Sequence, residues 1–219
     1  EMGKDFEISD KIKNYIDKFS KELHPVQKEI IAYNKTLGEV KKMQIAVSQC
    51  HFLELITKIS KAKEILEIGT FTGLSALSMS LGLPDNGTLI ALDKNKETCK
   101  KASNFFKKAN QDRKIKIIIK PALESLKEIK KDNLTFDIIF IDADKGNYQQ
   151  YYDEAIDLIK KDGLIIIDNV LWRGEVADKN NNDNLTNTIR NFNNYVKSDK
   201  KTEQIILPLG DGLTICRKL

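Results

Sequence analysis

The run FDIIFIDADKGNY, residues 136–148, passes from an apolar stretch straight into Asp142, Asp144 and Lys145. Two carboxylates and an ammonium within one helical turn can simply cap a strand in solvent. They can also hold a cation, a ligand and a base at one point. A second run, IIIDNVLW, closes in the same way with Asp168 and Asn169. Two carboxylates and an amide carbonyl are hard oxygen donors, suited to Mg²⁺ or Ca²⁺ rather than to zinc or copper. Adjacent parallel strands lie about 4.8 Å apart, so two such runs side by side would let Asp142, Asp168 and Asn169 converge. Any one of them alone reads as a strand-end cap; three at neighbouring strand ends read as a site.

A third cluster lies upstream. In LEIGTFTG, Glu67 stands two residues before Gly69, and Gly73 follows. The spacing is neither G-x-G-x-x-G nor G-x-x-x-x-G-K-[ST], so both the dinucleotide fingerprint and the P-loop fail. A carboxylate here suits a cationic or hydroxyl-rich ligand better than a pyrophosphate, and glycines let the backbone turn tightly beside a ligand. The next apolar run, GTLIALD, ends in Asp93, 24 residues beyond Gly69, where a carboxylate can accept from ribose hydroxyls. The plain alternative is a glycine turn with an incidental Glu.

Four apolar runs, each followed by a helix-like stretch, can bring these groups to one edge: residues 63–69 with 72–83, 87–93 with 96–109, 114–120 with 122–131, and 136–142 with 147–161. A fifth run spans 163–169. Their nearly continuous apolar character is that of parallel strands buried on both faces. Their alternation with helices predicts a doubly wound α/β sheet, whose ligands bind at the carboxyl ends of the strands. Residues 170–184 read as an exposed loop, a polar helix covers about 184–198, and two short strand runs flank GDG as a hairpin. Upstream, amphipathic helices are predicted at 8–23, about 26–37 and 47–60. The chain is expected to be one domain, a helical cap over 1–60 on a core of 61–219.

At 219 residues, 41% hydrophobic and 31% charged, the chain can bury a substantial core. No apolar run approaches the roughly 18 residues of a membrane span. The charged opening residues contain no signal-peptide core, so a cytoplasmic location is the expectation. Cys50, Cys99 and Cys216 are far apart, which argues against a disulfide framework and a cysteine zinc site. A net charge of +4 from scattered lysines does not imply nucleic-acid binding. His51, in an amphipathic helix with no partner nearby in sequence, reads as a packing or surface residue.

Five motifs carry a resemblance: EIGTFTGLSALSMSLGLP, PALESL, FDIIFIDADKGNYQQYY, IIIDNVLWRGEVAD and LPLGDGLTICRK. In order and content they resemble the cation-dependent O-methyltransferases, the family of catechol and caffeoyl-CoA O-methyltransferases, with the bacterial caffeoyl-CoA-like members nearest. The resemblance spans roughly residues 38–219. It implies a class I S-adenosylmethionine (SAM) methyltransferase fold: Rossmann-like, with a mostly parallel seven-stranded sheet, an antiparallel C-terminal strand and N-terminal helices. It implies that Asp142, Asp168 and Asn169 bind a divalent cation, Mg²⁺ first and Ca²⁺ or Mn²⁺ as alternatives, and that Lys145 is the general base. SAM would be held by Glu67, Gly69, Thr70, Ser75, Asp93, Ala122, Asp142 and Asp144, with Ile45 on a segment that closes over it. Arg173 falls on a substrate-side position. The implied acceptor is a small vicinal diphenol, the implied assembly a homodimer, and neither nucleic acid nor membrane is implied as a partner.

The chain departs from that family at AVSQCHF, where Cys50 and His51 replace Gly and Gln, and at Gly146, where an acid is usual. The implied chemistry is coherent. A neutral phenol is a poor nucleophile and must be deprotonated and held in line. A cation shared by two vicinal hydroxyls does both, and Lys145 would take the proton once its pKa falls from about 10.4. Three other readings compete. A SAM enzyme acting on RNA or protein would need a basic groove; a nicotinamide oxidoreductase would need the missing glycine pattern; a non-catalytic scaffold has no use for Asp142, Lys145, Asp168 and Asn169 together.

Overall fold

The computed structural model describes residues 7–219, so the first six residues of the expected cap lie outside the described part. Among the described residues seven strands are formed: β1 Glu64–Ile68, β2 Thr88–Asp93, β3 Ile115–Ile119, β4 Phe136–Ile141, β5 Ile159–Asp168, β6 Thr202–Leu207 and β7 Leu213–Lys218. They make one sheet in the order β3-β2-β1-β4-β5-β7-β6. Pairings from β3 through β5 are parallel, and β7 runs antiparallel to both β5 and β6. Strand order reverses between β1 and β4, which opens a crevice at their carboxyl ends.

Among the described residues the α-helices are α1 Asp10–Phe19, α2 Pro25–Asn34, α3 Val47–Ile59, α4 Leu74–Gly82, α5 Lys96–Lys108, α6 Ala122–Lys131, α7 Tyr148–Leu158 and α8 Asn184–Ser198. The central strands alternate their side chains between two cores. Ile65, Ile138 and Phe140 pack with Leu53, Leu77 and Phe106, under α3 to α5. Leu66, Ile139 and Ile141 pack with Leu126, Tyr148 and Phe192, under α6 to α8. Burial on both faces is why the strand runs are apolar without alternation. Local signals set the helix starts: Asn95 accepts from the amides of Glu97 and Thr98, and Asp183 from that of Thr186.

Several boundaries differ from expectation: α1 ends at Phe19 rather than at 23, β5 begins at Ile159 rather than at 163, and two helix ends differ for identifiable reasons. The helix expected to run to residue 37 stops at Asn34, whose amide is buried between Gln44 and Thr72; Lys35–Met43 then follows as 3₁₀ turns kinked at Gly38 (φ 63°). The helix expected to reach 161 ends at Leu158, because Ile159 pairs with Phe136 and the register shifts before Ile138 meets Leu164.

Candidate active site

Ile141 pairs with Ile167 across β4 and β5, so the next residues, Asp142 and Asp168, leave adjacent strands side by side. Asn169 follows with left-handed backbone, φ 64°. Lys145 draws the group together. Its Nζ lies 3.3 Å from Asp142 Oδ1, 2.9 Å from Asn169 Oδ1, 2.8 Å from the Ala143 carbonyl and 2.7 Å from the Tyr148 hydroxyl. Tyr148 is fully buried and donates in turn to the Asp168 carbonyl at 2.9 Å. Asp168 Oδ1 accepts from Gln49 Nε2 at 2.9 Å and from the Asn169 amide at 2.7 Å.

Burial raises the Asp142 carboxyl above the usual range, against the pull of the Lys145 ammonium. Burial, and then the Asp142 charge, push Asp168 up to about 7. Two desolvated carboxylates on neighbouring strands repel, and a divalent cation between them would favour both in ionised form. Two carboxylates and one amide oxygen fit a hard cation and leave positions for further oxygens. Among the described residues, no cluster of three or more His, Cys, Asp or Glu side chains could hold a metal; the third donor here is an amide.

A cleft of about 1190 Å³ opens over these strand ends. Gly69, Thr70, Ser75, Asp93, Ala122 and Asp144 line it beside Asp142, Lys145, Asp168, Asn169 and Arg173, with Ile45 from the segment before α3. Glu67 does not line it. It is 0% exposed, and its Oε2 accepts from Ser75 Oγ at 2.5 Å. Its Oε1 and the Thr70 hydroxyl are buried without a hydrogen-bond partner, and burial pushes the carboxyl up to about 8. Unsatisfied buried polar atoms beside a cleft mark where a polar ligand can compensate them.

The glycines have a packing reason that the motif alone does not reveal. A Cβ on Gly69 would lie 2.0 Å from the Asp142 carbonyl oxygen, and one on Gly73 would lie 2.7 Å from the Phe106 ring. Three residues of the site carry no clear signal in the sequence: Gln49, Tyr148 and Asp211. Asp211 Oδ2 accepts from Asn169 Nδ2 at 2.9 Å; its only signal is the GDG turn, which reads as a hairpin. His51 is half-buried on α3 outside the cleft, and Cys50 is buried in the core. A Cβ on Gly146 would meet nothing within 4 Å, so that departure leaves no packing defect.

Residues 17–219 match a family model described as O-methyltransferase. The chain is 39% identical over 217 residues to "Probable caffeoyl-CoA O-methyltransferase 2" of Dictyostelium discoideum, covering 97% of this chain and 94% of that protein. It is 37% identical over 187 residues to "Caffeoyl-CoA O-methyltransferase" of Medicago sativa, covering 81% and 75% of the two. The crystal structure of the O-methyltransferase from Bacillus cereus in complex with SAH superposes with a TM-score of 0.87 at 27% identity, covering 95% of this chain and 97% of that one. The chain belongs to the O-methyltransferase family of S-adenosylmethionine-dependent enzymes.

Proposed function

We propose that the protein methylates one hydroxyl of a small vicinal diphenol, catechol- or caffeoyl-like, and needs a divalent cation, Mg²⁺ first, to do so. The observation that carries this reading is that Asp142 and Asn169 meet at Lys145 Nζ, with Asp168 at the same pair of strand ends, in the lining of one cleft. The names of the two curated relatives support a phenolic acceptor of the caffeoyl type. SAM supplies a methyl group on a sulfonium, and a hard cation supplies the charge that acidifies a phenol and holds two vicinal oxygens.

The chain's own residues do the rest. Asp142, Asp168 and Asn169 present three oxygens at one point, Gln49 fixes one of the Asp168 oxygens, and Tyr148 with the Ala143 carbonyl steers the Lys145 amine. From there Lys145 takes the acceptor's proton. On the other side, Gly69, Thr70, Ser75, Asp93, Ala122, Asp144 and Ile45 bind SAM, Glu67 acts from beneath through Ser75, and Arg173 lies on the acceptor side. We read residues 1–219 as one catalytic domain, a cap of 1–60 on a core of 61–219, in which residues 41–46 and Gln49 of the cap line the cleft.

No helix among the described residues is long and apolar enough to cross a membrane, and the three cysteines are free and buried, which supports a reducing, cytoplasmic setting. Exposed Tyr15, Ile16 and Phe19 on α1, with Leu55 and Ile59 on α3, support assembly as a homodimer.

The test is a methyl-transfer screen over diphenols after exhaustive dialysis against EDTA, with and without Mg²⁺. Turnover of vicinal diphenols alone, restored by Mg²⁺, is the expected result. Full activity without cation, or equal activity on isolated phenols, overturns the reading.

A further inference from the structure

We propose that Asp211, on the turn between β6 and β7, is a positioning residue that sets which end of the Asn169 amide faces the cation site. This rests on the cation reading above, and goes beyond it by naming what makes Asn169 usable as a ligand. A primary amide has a carbonyl oxygen at one end and an NH₂ of nearly the same size at the other. Only the oxygen can bind a cation; turned round, the side chain would aim two N–H donors at it. An ionised carboxylate only accepts hydrogen bonds. Asp211 Oδ2, 2.9 Å from Asn169 Nδ2, therefore accepts one end of the amide and leaves Oδ1 for the site, where it lies 2.9 Å from Lys145 Nζ.

Asp211 is itself held from several sides. Its Oδ1 accepts from the Arg173 amide at 2.6 Å, and its carbonyl accepts from the Leu171 amide at 3.0 Å. Preceding it, Gly210 is pressed against Gln49, where a Cβ would come within 2.7 Å. Gln49 donates to the Leu209 carbonyl as well as to Asp168. The one carboxylate thus ties together a segment in which Asn169, Trp172 and Arg173 all adopt positive φ. Such conformations cost non-glycine residues energy and persist only when surrounding bonds hold them. Asp211 and Asn169 are 42 residues apart in sequence, so the pair exists only because β7 inserts next to β5.

The experiment titrates Mn²⁺ into the full chain and reads free Mn²⁺ by its EPR signal, with SAM affinity and Tm measured on the same samples. Outer partners of metal ligands typically tune affinity by 10–100-fold. Asp211→Ala is expected to weaken Mn²⁺ binding by about that factor while SAM affinity stays within about twofold of wild type. Asp211→Asn, which is nearly isosteric, should weaken it comparably, because an amide that accepts from Arg173 turns its NH₂ toward that of Asn169 and drives the flip. The swap Asn169→Asp with Asp211→Asn restores a compatible pair, since the amide NH₂ introduced on the turn can then donate to the new carboxylate. It should bind Mn²⁺ within a few-fold of wild type. Unchanged Mn²⁺ affinity in Asp211→Asn, or a swap no better than that single variant, overturns the proposal while the cation reading stands. A wild type that binds no Mn²⁺ overturns both. Loss of SAM affinity and Tm in step with Mn²⁺ affinity in Asp211→Asn would make Asp211 a general brace of the fold and overturn its positioning role.

Discussion

Asp93 Oδ2 accepts the backbone amides of Thr70 and of Phe71, each at 3.0 Å. The carboxylate at the end of β2 therefore fixes the turn after β1, besides facing the cleft. Asp93→Ala removes the proposed cofactor acceptor and loosens the turn that shapes the same pocket. We expect SAM binding to weaken by roughly 1.5–3 kcal/mol, the usual loss for a hydrogen bond to a charged group, and Tm to fall with it. Calorimetry with SAM checks the first and thermal unfolding the second; unchanged SAM affinity would remove Asp93 from the site.

Gly69 sits at φ 91° with the Asp142 carbonyl oxygen where its Cβ would be. Gly69→Ala must either push β4 away from β1 or distort the turn. Backbone strain alone costs about 1–3 kcal/mol, and the clash adds to it. Because the displaced residue is Asp142, Mn²⁺ affinity should fall together with stability. A variant with native stability and native cation affinity would show that the two strand ends move independently.

Glu67 gives a stability that depends on pH. Its carboxyl is pushed from 4.5 up to about 8 by burial, with the Asp142 and Asp93 charges adding to the rise. The folded state therefore holds this proton more tightly than the unfolded chain. Its contribution is most favourable below pH 4.5 and is lost as pH rises toward about 8, above which it levels off. Glu67→Gln has no such proton and keeps an acceptor for Ser75. Relative to wild type, its Tm should therefore rise between about pH 5 and pH 8 and flatten beyond. A difference in Tm that does not change over that range would mean that Glu67 is ionised in the folded protein.

Much of this arrangement is legible in the sequence, because strand order and strand-end chemistry are written locally. Asp142 and Asp168 follow apolar runs whose composition marks them as parallel strands, and the pairing of β4 with β5, Ile141 opposite Ile167, brings the two ends side by side. Contacts between distant segments are not legible in the same way. Gln49 and Asp168 are 119 residues apart, and nothing in AVSQ announces a partner for a carboxylate. Glu67 is legible as a motif residue but not as a buried one: its place in β1 follows from the alternation of the strand, whereas its distance from the cleft depends on Ser75 standing in front. The early end of α2 depends on a polar contact of Asn34 with Gln44 and Thr72, which helix periodicity does not encode.

Lys145 supplies the sharpest test of the chemistry. Its Nζ stands within 3.3 Å of four oxygens, from Asp142, Ala143, Tyr148 and Asn169, so the amine is held between two of the three proposed cation ligands. A positioned base typically contributes about 10²–10⁴-fold. Lys145→Ala should lower kcat by about that much on a vicinal diphenol at saturating Mg²⁺, with SAM affinity near wild type. Lys145→Arg should not restore the rate, since a guanidinium does not lose its proton near neutral pH. Tyr148→Phe removes only one of the amine's four contacts, together with a hydrogen bond to the Asp168 carbonyl, and should cost less than Lys145→Ala. If Lys145→Ala keeps more than about a tenth of the wild-type rate, the loss falls below that range. The lysine would then only orient its neighbours, and the cation alone would have to acidify the hydroxyl.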